Sequence, residues 1–104
     1  LFKLNYDEKE SKAVKDIVDS GWITMGEESK EFENRFAKML GDNIFAIAVS
    51  SGTASLHMAL LGLDIGVGDE VIIPALTFVA DINVVKIVGA TAVLADCGSY
   101  NDWN

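Results

Sequence analysis

The chain has 104 residues, a net charge of −8 and one cysteine, and half of its residues are hydrophobic. That charge argues against a nucleic-acid or anionic-membrane surface, and no apolar run reaches the roughly 18 residues of a membrane span. A lone Cys97 gives no internal disulfide and no thiolate metal cluster, in keeping with a reducing cytoplasm. Nothing at the charged N-terminus resembles a signal peptide.

The first element is a helix over residues 7–19. Ala13, Val14, Ile17 and Val18 recur at helical spacing and Gly21 supplies the stop. Trp22-Ile23-Thr24-Met25-Gly26 breaks that pattern and reads as an irregular connector. Trp22 there has two readings, a cover for a ligand or an anchor for the loop. A second helix follows over about residues 28–40, with Phe32, Phe36, Met39 and Leu40 as its apolar stripe and Gly41 as its end. The acidic cluster Glu27-Glu28-Glu31-Glu33 suits the positive end of that helix and a solvated face.

Ile44-Phe45-Ala46-Ile47-Ala48-Val49 is a continuous apolar run of strand length, the pattern of a strand buried on both faces of a parallel sheet. A third helix runs from about Thr53 to Leu63. Gly66 to Asp69 form a turn, Glu70 to Ile73 a second strand stopped by Pro74, residues 77–88 a fourth helix ended by Gly89, and Thr91 to Ala95 a third strand. Strands alternating with helices imply an α/β fold with a largely parallel sheet.

Chemistry concentrates where the first apolar run ends. A strand that stops at Ser50-Ser51-Gly52-Thr53-Ala54 and turns into a helix leaves backbone N–H groups unpaired at the positive end of the helix dipole, a ready site for a phosphate. Gly52 permits close approach of the backbone, and Thr53 and the serines add hydroxyls. The plainer reading is a polar connection with Thr53 near an N-cap. The turn is neither a Walker loop nor a dinucleotide fingerprint. Phe78 lies just beyond the second strand, where ligands of open α/β sheets collect; it stacks on a planar ring or packs in the core. His57 reads as an ordinary helix residue, and Asp69-Glu70 as a solvated turn pair.

Together, Gly21 to Gly26, Glu31-Phe32-Glu33, Ser51 to Leu56, Gly68 to Pro74, Thr77-Phe78-Val79-Ala80, Gly89-Ala90 and Asp96 resemble, in order and spacing, the N-terminal part of the DegT-type sugar aminotransferases. These are pyridoxal-phosphate enzymes of the aspartate-aminotransferase fold (fold type I) that act on nucleotide-linked keto sugars. The resemblance runs from about Tyr6 to Asp96. It implies that residues 1–104 are an N-terminal fragment of the large, mostly parallel-sheet α/β/α cofactor-binding domain, with later strands and the small domain supplied by further sequence. It implies pyridoxal 5'-phosphate as cofactor, its phosphate held by Gly52, Thr53 and Ala54 and its ring stacked by Phe78. It places Tyr6, Ile23, Thr24, Met25 and Gly26 near the substrate, a nucleotide sugar, with glutamate as amino donor. It further implies a cytoplasmic homodimer with no nucleic-acid or membrane partner.

The family's catalytic lysine and the carboxylate that pairs with the pyridine nitrogen lie downstream of these residues, so the 104 residues alone are not expected to turn over. Dehydratases of the same family carry a histidine in place of that lysine and form an alternative, as does a short α/β binding module without chemistry. Asp81 stands where relatives commonly carry a small hydroxyl residue. The resemblance also implies that strands from later sequence lie between the first strand and the second, which leaves Ile44–Val49 without its expected neighbours.

Overall fold

A computed structural model describes residues 5–98. They form two compact units that divide after Ala48.

The first unit holds two helices written by local signals. Helix α1, Glu8–Ser20, starts at a capping box. Asp7 Oδ1 accepts from the Lys9 N–H at 2.7 Å, and Glu10 Oε2 accepts from the Asp7 N–H at 2.7 Å. The helix ends at Gly21, whose φ of 74° lies in the left-handed region, with its N–H donating to Val18 O. Helix α2, Glu27–Leu40, begins at Gly26 with Glu27 and Glu28 in its first turn and closes at Gly41. Exposed pairs Lys12–Asp16 and Lys15–Asp19 in α1, and Glu27–Lys30 and Glu31–Arg35 in α2, line the helix surfaces. Neither helix buries a residue among those described.

Ile44–Val49 lacks the strand neighbours that later sequence is expected to supply. The segment is not a strand, because no described residue pairs with it and a strand exists only in a ladder. Its one side-chain tether is the Ala48 N–H, which donates to Glu33 Oε1 at 2.7 Å. Phe45 is 91% exposed.

The second unit carries the core. Helix α3, Gly52–Gly62, leads through a turn to strand β1, Glu70–Pro74, then helix α4, Ala80–Ile87, then strand β2, Thr91–Ala95. The strands pair in parallel from Glu70 opposite Thr91 to Pro74 opposite Ala95, with α4 as the crossover. Asp69 is a structural residue of the turn. Its carboxylate accepts from the Gly66 N–H at 2.8 Å and its carbonyl from the Thr91 N–H at 2.9 Å. Ile73, Val85 and Ala90 are buried together, with Leu60, Ile65, Val71, Ile82, Val88 and Ala92 packed against them.

Helix α4 begins at Ala80 rather than at Thr77. Residues 75–79 form a bend instead, and Pro74 closes β1 from inside the ladder rather than stopping it beforehand. At Gly89 φ is 83°, and a Cβ there would lie 2.8 Å from Val67 Cγ2. Both facts require glycine at the entry to β2.

Candidate cofactor site

Helix α3 is capped by Ser51, not by Thr53. Ser51 is extended and its Oγ accepts from the Ala54 N–H at 3.2 Å. Ser55 Oγ donates to Gly52 O at 2.7 Å, so this hydroxyl is spent within the helix. Helix geometry gives the N–H groups of the first turn no intrahelical acceptor. With Ala54 satisfied by the cap, Gly52 and Thr53 present the donors available to an anion. The approach is open, since a Cβ built on Gly52 meets no atom within 4 Å. No acidic side chain stands in the first turn of α3 to repel an anion.

Among the described residues Phe78 is 74% exposed, so it does not pack into their core. It sits in the bend that follows β1. Because α3 feeds the start of β1 through a short turn, its N-terminus points back toward the carboxyl end of the strand. The topology therefore brings Ser51–Ala54 and Thr77–Phe78 to the same end of the β1–α4–β2 unit.

Tyr6 and Ile23 to Gly26 belong to the other unit. Tyr6 precedes α1 and is exposed. The connector closes on itself, with Trp22 Nε1 donating to Met25 O at 2.9 Å. The indole lies against Gly26, where a Cβ would come within 2.7 Å of Trp22 Cδ1. Trp22 thus anchors its loop, while Ile23 and Met25 remain exposed. His57 is half-buried on α3. Among the described residues no cluster of His, Cys, Asp or Glu is suited to a metal ion, and no helix is long and apolar enough to cross a membrane.

Sequence reasoning assigned no role to Ser51 as a cap or to Asp81. A serine directly before a helical run is the available signal for the first. Asp81 gives no periodic signal. Its carboxylate accepts from Thr77 Oγ1 and its N–H donates to Phe78 O at 3.1 Å.

These residues form an α/β unit with an open helix start and an exposed aromatic at one strand end. Residues 5–104 match the DegT/DnrJ/EryC1/StrS aminotransferase family, and the chain belongs to that family. Among solved structures it is similar to Spr1654 of Streptococcus pneumoniae, described as a sugar aminotransferase, in its PMP form. That match has 39% identity and a TM-score of 0.83, covering 91% of this chain and 24% of the other. An aminotransferase from Psychrobacter cryohalolentis matches at 38% identity and a TM-score of 0.82, covering 94% and 26%. The E. coli GDP-4-keto-6-deoxy-D-mannose-3-dehydratase with bound hydrated PLP matches at 30% identity and a TM-score of 0.85, covering 94% and 26%. The chain spans about a quarter of the length of these proteins. The fold is the α/β architecture of these fold type I pyridoxal-phosphate enzymes.

Proposed function

We propose that these residues are the N-terminal part of the large domain of a pyridoxal-phosphate enzyme that moves an amino group from glutamate to a nucleotide-linked keto sugar. The observation that carries the reading is the start of α3, with its serine cap, two outward N–H donors and free approach at Gly52. That donor set fits a phosphate monoester, which needs convergent N–H groups and a positive helix end. When bound, pyridoxal phosphate supplies the electron sink for amino-group transfer.

The residues of this chain have narrower tasks. The Gly52 and Thr53 N–H groups hold the phosphate, and Ala54 keeps the turn in shape through its bond to Ser51. Phe78 offers its face to the pyridine ring and excludes water from that side. Tyr6 and Ile23 to Gly26 face the sugar substrate in a cytoplasmic homodimer. Identity favours transfer of an amino group over dehydration, at 38–39% for the aminotransferases against 30% for the dehydratase. The TM-scores do not separate the two.

Gly52→Val in the full-length enzyme tests the reading. The φ of Gly52 is not in the left-handed region and its side-chain space is free, so the variant folds. Loss of one or two charge-assisted hydrogen bonds weakens pyridoxal phosphate binding at least about 10-fold. Wild-type affinity in the folded variant counts against the site.

A further inference from the structure

Phe78 does not pack into the core formed by the described residues, so that core does not aim its ring. Its direction is set by the backbone bend that carries it. Four hydrogen bonds hold that bend. The Ala75 N–H donates to Ala95 O at 2.7 Å, and the Leu76 N–H to Cys97 Sγ at 3.4 Å. Thr77 Oγ1 donates to Asp81 Oδ2, and the Asp81 N–H donates to Phe78 O. The first two fasten the bend to the end of β2. The last two fasten the residues on either side of the Thr77–Phe78 peptide bond to a single residue.

We propose that Asp81 is a positioning residue for the aromatic wall of the cofactor site, its carboxylate and N–H together fixing the Thr77–Phe78 bend. The inference rests on the reading of Phe78 as the residue that stacks on the cofactor. Asp81 is suited to the task by its place in the fold. It stands in the first turn of α4, where the helix dipole favours a carboxylate. It is half-buried beside Leu56 of α3, and one turn further along α4 are Val84 and Val85, two of the most buried residues described. The bend thereby takes its position from the rigid part of the unit. A shift of the bend reorients the ring that Phe78 presents, and stacking depends on that orientation. The side chain needs only to accept a hydrogen bond, so an amide oxygen serves as well as a carboxylate.

The test uses the full-length enzyme with Asp81→Ala, Asp81→Asn, Thr77→Val, the double variant Thr77→Val/Asp81→Ala, and Phe78→Ala. Each is titrated with pyridoxal phosphate. The circular dichroism induced in the bound cofactor's absorption band is recorded as a report on ring orientation. Asp81→Ala and Thr77→Val are expected to weaken binding roughly fivefold, the factor for the net contribution of one intramolecular hydrogen bond, and to alter the induced band. Asp81→Asn restores both, and the double variant is no worse than Asp81→Ala. Wild-type affinity and an unaltered band in Asp81→Ala, with Phe78→Ala impaired, overturn the positioning role and leave the cofactor reading standing. An altered melting temperature with an unaltered band also overturns it, since a purely structural role does no more. Should Asp81→Ala fail to fold, Thr77→Val decides alone, and wild-type behaviour there overturns the inference. Absence of pyridoxal phosphate binding by the wild-type enzyme overturns the cofactor reading and this inference together.

Discussion

The two units of this chain make helices by different means. In the first, α1 and α2 are specified by their ends and surfaces: a capping box, glycine stops, acidic first turns and ion pairs along the helix faces. Their large apolar residues other than the half-buried Ile17 stay exposed, with Val18 at 61%. In the second, α4 has no side-chain cap, yet Ala80, Val84 and Val85 are buried against the strands. Local signals suffice to place α1 and α2, whereas burial holds α4. The start of α3 and Phe78 both belong to the unit with the core.

Removing methyl groups from each unit gives the largest contrast. Val85 is 1% exposed and central to the core. Val85→Ala is expected to cost roughly 2 kcal/mol through lost burial and the cavity left behind. Val18→Ala is expected to change local stability by less than about 0.5 kcal/mol. Native-state amide exchange in the full-length protein reads each region separately. Equal costs would show that a surface outside these residues covers the stripe of α1, and the comparison between the units would collapse.

Two glycines sharpen the comparison at a finer scale. Added Cβ atoms would collide at both, with Val67 Cγ2 at Gly89 and with the Trp22 ring at Gly26. Only Gly89 also has a positive φ. Gly89→Ala is expected to cost about 1–3 kcal/mol from backbone strain, since its φ lies in the left-handed region. At Gly26 the backbone is extended and the exposed indole can swing away. Gly26→Ala should therefore leave stability near wild type while moving the indole N–H resonance of Trp22, as its bond to Met25 O breaks. A larger loss at Gly26 than at Gly89 would mean that the connector, not the strand entry, is the more constrained turn.

What the sequence discloses follows the same division. The limits of α1 and α2 are readable within a residue because Asp7, Gly21 and Gly41 are local signals. The parallel β1–α4–β2 unit is readable from alternating patterns. Ile44–Val49 forms no ladder among the described residues, in keeping with its reading as a strand whose neighbours come from later sequence, because apolar composition reports affinity for a sheet and a strand needs a neighbour to supply the ladder. The start of α4 misleads because Thr77 to Val79 continue the apolar periodicity, and only the Thr77–Asp81 hydrogen bond shows the bend. The start of α3 at Gly52 is legible from the Ser-Gly-Thr turn that ends the apolar run. The division of labour, with Ser51 taking Ala54 and leaving Gly52 and Thr53, depends on three-dimensional capping geometry.

The smallest expected effect tests the claim that end signals matter more in the first unit. Asp7 and Ser51 are both caps, each accepting from a backbone N–H of its helix. Replacing either by alanine removes that acceptor, and a cap is worth about 1 kcal/mol where nothing else holds the helix. Helix α1 fits that condition, since it buries no residue, and Asp7→Ala also breaks the return bond from Glu10 and removes a charge that the dipole favours. Helix α3 buries no residue either, but it packs on α4 and sets Leu60 against the core, so Ser51→Ala frays the first turn without loosening the rest. Amide exchange should quicken throughout α1 in Asp7→Ala, by about fivefold. In Ser51→Ala it should quicken only near Ala54. Uniform loss of protection along α3 would mean that its cap, and not its packing, holds the helix that presents the Gly52 and Thr53 donors.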